Sequence, residues 1–194
     1  MELQHVNVKI YVAGDLPVAP ERFIPVFHEW IRGQTLDELL IDVADYLHVP
    51  AGPGVMLIAL EGDYSIDHAD HRWGLRYNRK APVSGSNEDR FRQAFGSALN
   101  ACRMLETEFA GDDALKFDRQ EFELFINDRA LAPNTSETYE ACKPELESFL
   151  ARVLGHSEFS LAHRSDPRSR FGVTVKVATP FDLTAVLDVL EFHE

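Results

Sequence analysis

The sequence predicts an α+β fold, and three observations carry that prediction. Apolar residues alternate at period 2 in some stretches and recur at helical spacing in others. Most predicted strands follow one another across short turns, which favours hairpins over the crossover helices of a parallel sheet. No low-complexity segment or long linker interrupts the 194 residues, so residues 1–194 are expected to form a single compact domain.

The elements are predicted in order as follows. Val6, Val8, Ile10 and Val12 alternate with His5, Asn7, Lys9 and Tyr11, the signature of a strand with one buried face. Gly14 to Pro20 reads as a loop. Phe23 to Arg32 (FIPVFHEWIR) is aromatic and β-branched on both faces, which predicts a second, mostly buried strand with Pro25 near its start.

Thr35 and Glu38 have the spacing of a capping box, and Leu36, Leu39, Leu40, Val43, Ala44 and Leu47 follow at helical spacing. A helix is expected there, with Asp37, Glu38, Asp42 and Asp45 on its wet face and Pro50 and Gly52-Pro53-Gly54 ending it. Val55 to Leu60 is apolar at every position and predicts a central strand, and Trp73 to Arg79 predicts the next.

Ser86, with Asp89 three residues on, opens a helix burying Phe91, Phe95, Ala98, Leu99, Cys102 and Leu105. Strands are expected near Leu115 to Phe117 and over Glu121 to Asn127. A helix opened by Asn134 then buries Tyr139, Cys142, Leu146, Phe149, Leu150 and Val153, is kinked or restarted at Pro144, and closes at Gly155. Strands at Glu158 to His163 and Phe171 to Val177 precede a last helix after Thr179-Pro180, with Leu183, Val186, Leu187 and Leu190 on its buried face.

The result is four successive strand-strand-helix units. Read from the second strand, the order is βαββαβ followed by βαββα, which suggests two fused ferredoxin-like halves. They span residues 20–118 and 119–194, with residues 1–14 completing the second. The alternative is a single antiparallel or mixed sheet backed by helices.

A net charge of -13 repels phosphate backbones and argues against nucleic acid or anionic membrane as the main partner. No run approaches the apolar length of a bilayer span, and MELQHVNVKI has neither the basic start nor the apolar core of a signal peptide, so a cytoplasmic location is expected. Cys102 and Cys142 are expected to be buried free thiols. Charge is segregated along the chain: residues 34–71 hold eight acids and no Lys or Arg, whereas residues 72–103 hold seven Lys and Arg against Glu88 and Asp89.

Three clusters are candidates for chemistry. Asp67, His68 and His71, with Asp63 and Asp70, carry carboxylate and imidazole donors suited to a divalent metal, although the spacing matches no known signature. His28, near Trp30 and Arg32, is a candidate proton carrier. Arg72 and Arg76, with Gly74 between them leaving open space, and Arg164 and Arg168, with Arg170, offer planar donor forks suited to a carboxylate or phosphate. G-x-S-x-G is absent, and Gly52-Pro53-Gly54 lies after a helix and before a strand, the reverse of a P-loop.

The expectation is a non-catalytic, homo-oligomeric binding or regulatory protein that takes a small anionic ligand or a protein partner on its arginine surfaces. A metal-assisted enzyme using the Asp67/His68/His71 hairpin and a structural assembly subunit are the alternatives.

Overall fold

The computed structural model describes residues 1–50, 52–111, 114–156, 158–166 and 168–191. Its strands are β1 (Val6–Val12), β2 (Leu40–Tyr46), β3 (Gly54–Ala59), β4 (Gly62–Asp67), β5 (Gly74–Arg79), β6 (Phe117–Ile126), β7 (Phe159–His163) and β8 (Gly172–Val177). Its helices are α1 (Phe23–Gly33), α2 (Asn87–Glu108), α3 (Ser136–Leu154) and α4 (Leu183–Glu191). The eight strands make one sheet in the order β2-β3-β4-β5-β1-β6-β8-β7, antiparallel at every pairing.

The class is α+β, and the sheet takes the single-sheet form rather than two ferredoxin-like halves. β1 is the seam: it lies between β5 and β6 and joins the meander β2 to β5 to the three strands of the C-terminal part. Alternation along β1 sets the two faces. Val6, Val8, Ile10 and Val12 enter a continuous apolar core, over which α2 packs on β1 and β5. Asn7, Lys9 and Tyr11 point the other way, yet they too are buried.

The first predicted unit is inverted in the structure. The stretch expected as a strand is α1, in which Phe23, Phe27 and Trp30 form a buried stripe at i, i+4 and i+7. Pro25 sits in the first turn, where its missing N–H costs nothing. The stretch expected as a helix is a loop followed by β2, an edge strand paired to β3. Gln34 fixes this change of direction. It takes a left-handed backbone (φ 46°), and its side-chain amide bonds both main-chain groups of Leu40, Nε2 to the carbonyl at 3.0 Å and Oε1 from the N–H at 3.0 Å.

β3 is second from the edge rather than central. β4 lies inside the predicted metal hairpin, and the two short strands expected around residues 115–127 are one strand, β6. Later elements follow the prediction closely. Ser86 and Asp89 form the full capping box of α2, and the six side chains expected to be buried there are buried. α3 starts one residue later than expected, capped by Thr135, and runs through Pro144 without a break. Gly155 closes it with a left-handed backbone (φ 72°). Among the described residues, no helix is long and apolar enough to cross a membrane.

Candidate functional site

The face of the sheet opposite the helices is built from charge. In register across it stand Ser65 of β4, Arg76 of β5, Lys9 of β1, Glu123 of β6 and Thr174 of β8. Lys9 is 2 % exposed, and its ammonium donates to Asp67 Oδ1 at 2.5 Å, to the Arg72 carbonyl at 2.9 Å and to the Ala69 carbonyl at 3.2 Å. Burial lowers the pKa of Lys9 against the opposing pull of Asp67. The room expected above Gly74 is occupied, because a Cβ there meets Lys9 Cε at 2.8 Å and the Ile10 carbonyl oxygen at 2.7 Å.

Asp67 is fully buried and is the anchor of this layer. Its second oxygen stands 3.1 Å from Arg76 Nε, and its first also accepts the Ala69 N–H at 3.1 Å. Arg76 and Arg170 both lie over the ring of Phe125, at 5.3 and 5.2 Å. Stacking on an aromatic face holds a guanidinium flat without consuming its outward N–H donors.

Above this layer opens a cavity of about 290 Å³ lined by Lys9, Arg76, Arg129, Arg164, Arg168 and Arg170, with Asp70 and Glu123 as the carboxylates on its wall. Arg164 is neutralised, with Asp70 at 2.7 Å and Glu123 at 3.1 Å. Burial works against its charge, but these two carboxylates outweigh it and raise its pKa. Among the described residues, Arg129, Arg168 and Arg170 have no carboxylate within ion-pair distance. Arg129 donates to the Arg168 carbonyl at 2.5 Å and Arg170 to Asn127 Oδ1 at 3.1 Å. Burial, then the charges of Arg76 and Arg129, push the pKa of Arg170 below its ordinary value. The cations therefore strain one another, in a chain whose net charge is -13.

The structure brings Arg76, Arg164 and Arg168 together and diverts Arg72. That guanidinium stacks on Tyr11 at 3.5 Å and pairs with Glu121 at 2.8 Å, facing the other end of β6. Lys9 and Arg129, which the sequence reading did not select, complete the ring. Lys9 sat in an alternating strand as a solvent-facing position, and Arg129 lay alone in the NDRA turn, so neither gave a signal without the topology.

The other predicted residues do not converge. Asp67 is sealed by Lys9 and Arg76, His68 is exposed and stacked on Trp73 at 4.5 Å, and His71 meets His68 edge-on at 6.0 Å. Among the described residues, no group of three or more His, Cys, Asp or Glu is placed to hold a metal. His28 is exposed on α1 and is not among the residues that line the arginine cavity. Cys102 and Cys142 are free and buried, and burial pushes the Cys142 thiol up to about 11.

Comparison with known proteins returns no matching family model, no matching curated protein and no matching solved structure.

Proposed function

We propose that the protein binds a small anion, a carboxylate or phosphate, in the arginine-lined cavity on the open face of the sheet, and that it acts as a binding or regulatory protein. One observation carries this reading: Arg129, Arg168 and Arg170 gather beside Arg76 at one mouth with no carboxylate of their own among the described residues. Like charges are held together at a cost, and a bound anion with two or more oxygens relieves it through several charge-assisted hydrogen bonds at once. Asp67 and Phe125 hold Arg76 from below, so part of the site is organised before any ligand arrives.

Inorganic phosphate and sodium benzoate are the first probes. Each is expected to raise the melting temperature of the wild-type protein, with an effect that weakens as salt is added. Arg168→Glu and Arg129→Glu, both exposed positions, should remove that stabilisation without lowering the ligand-free melting temperature, since each relieves the crowding of cations. An equal shift in wild type and both variants, or no shift at millimolar anion, overturns the reading.

Self-association belongs to the same proposal and has a surface of its own. Leu39 and Ile41, at the start of the β2 edge, and Leu60, which follows β3 and bonds the Leu39 carbonyl, are more than half exposed. Contiguous exposed apolar side chains beside an unpaired strand edge favour assembly. Light scattering that shows a monomer at all accessible concentrations removes that part of the proposal.

A further inference from the structure

The arginine cavity carries more positive charge than its own carboxylates balance. Lys9, Arg76, Arg129, Arg164, Arg168 and Arg170 line it, and the acids set against these cations are Asp67 beneath, with Asp70 and Glu123 on the wall. Two further acids nearby are spent on their own turns. Asp128 Oδ1 accepts the N–H groups of Ala130 and Leu131, both at 3.0 Å, and Asp166 accepts the Arg168 N–H at 3.0 Å and the Ser169 hydroxyl at 3.3 Å. A single negative charge leaves most of the excess in place.

The two wall carboxylates are held very differently. Glu123 is 6 % exposed and meets Arg164 at 3.1 Å from within the sheet. Asp70 stands at the mouth with its side chain 60 % exposed, and among the described residues Arg164, at 2.7 Å, is the only group its carboxylate bonds. An ion pair this open to water is worth little and exchanges readily. The turn that carries Asp70 is nevertheless anchored: Lys9 donates to the carbonyls of Ala69 and Arg72 on either side of it, and Asp67 accepts the Ala69 N–H. The fold thus sets one replaceable carboxylate on a guanidinium that lines the cavity.

We infer that the ligand of this cavity is a phosphate-type dianion, a phosphate monoester or free phosphate, and that Asp70 is a built-in stand-in whose carboxylate the incoming group displaces from Arg164. This rests on the anion-binding reading above and narrows it. A phosphate monoester carries close to two charges at neutral pH and presents three terminal oxygens. One oxygen takes the place of Asp70 on Arg164, and the other two serve Arg168 and Arg170, which have no carboxylate of their own among the described residues. A carboxylate has two oxygens and one charge, so on Arg164 it only replaces Asp70 with its equal. The displaced Asp70 turns to water from a position already open to it.

Phenyl phosphate and phenyl sulfate have nearly one shape and differ in charge, close to two against one at about pH 7.5. Titrated calorimetrically into the wild-type chain at low salt, phenyl phosphate should bind about tenfold more tightly than phenyl sulfate or benzoate. Inorganic phosphate separates the two sources: affinity equal to that of phenyl phosphate supports the dianion as the free ion, and weaker affinity supports it as an ester. In NMR spectra of the arginine side chains, phenyl phosphate should move the Arg164 Nε–H signal together with those of Arg168 and Arg170. Asp70→Asn, a change at an exposed position, should strengthen phenyl phosphate about fivefold, because no charge then competes for Arg164. Equal affinity for the phosphate and sulfate esters, an unmoved Arg164 signal, or unchanged or weaker binding by Asp70→Asn overturns this inference and leaves the anion site standing. If phosphate, sulfate and carboxylate all fail to bind at about 10 mM, the anion-binding reading falls and the inference falls with it.

Discussion

Arg76 and Tyr77 are neighbours in β5, and they belong to opposite chemistries. Arg76 enters a cavity rich in guanidinium groups, and Tyr77 hydrogen-bonds the buried Glu38 beside a cavity rich in carboxylates. One step along a strand turns the side chain to the other face of the sheet. The separation of charge in the molecule is thus made by pleat alternation, far more sharply than by the acidic and basic blocks along the sequence. The two sides also differ in how they are held. On the open face a single carboxylate, Asp67, anchors two cations, whereas on the helix side a single carboxylate is anchored by a tyrosine, an arginine and a glutamine.

The largest expected effect comes from removing the anchor on the open face. Asp67→Ala leaves the buried Lys9 ammonium with main-chain carbonyls only and frees Arg76. Breaking one partner of a buried ion pair typically costs about 3–5 kcal/mol, and urea unfolding should show a loss of that order. A double variant, Lys9→Met with Asp67→Leu, should recover a large part of the loss, because it removes the unpaired charge rather than exposing it. A small cost for Asp67→Ala alone would mean that the open face is wet and weakly organised.

On the helix side the matching test is steric. Gly62→Ala places a methyl group 2.7 Å from the Tyr77 hydroxyl and 2.9 Å from Glu38 Oε2, inside contact distance of both. Ordinary strand glycines gain stability from Ala by stiffening the unfolded chain. Here overpacking should win, with a loss of about 1–3 kcal/mol in the same urea assay. A gain would show that the packing of Tyr77 and Glu38 against β4 yields easily.

The sequence was legible where elements are specified locally and unreliable where partners decide. α2 carries its capping box and one stripe of six buried residues, and nothing in its context competes with them. Residues 35–47 carry an equally good capping box and stripe, yet they become a loop and an edge strand, because pairing with β3 and the clamp of Gln34 on Leu40 outweigh helical periodicity. That inversion hid the buried carboxylate on the helix side altogether. Glu38 looked like the far half of a capping box on a wet helix face and is instead buried against Tyr77. The arginine cavity was half visible. Arg76, Arg164 and Arg168 stood out as charge clusters on two hairpins, but only the insertion of β1 between β5 and β6 brings those hairpins to one mouth and adds Lys9.

The smallest expected effect is a slope, and it sharpens the difference between the two anchors. Burial raises the pKa of Glu38, against the pull of the Tyr77 hydroxyl and Arg79 and with Glu61 adding to the rise. The folded state therefore holds this proton more tightly than the unfolded chain does. Below the ordinary carboxylate range both states are protonated and Glu38 contributes no pH dependence. As pH climbs from that range through the raised value, the unfolded chain releases its proton first, and stability falls until the folded state has ionised as well. Tyr77, itself raised by burial and by Glu38, stays protonated throughout that window and keeps donating. Glu38→Gln deletes the titration while keeping an acceptor for Tyr77. Its urea midpoint, measured across mildly acidic to neutral pH, should lack the decline that wild type shows there. Matching slopes in the two proteins would place the ionised carboxylate in a solvated setting and would remove the cost that burying Glu38 imposes on the helix side of the sheet.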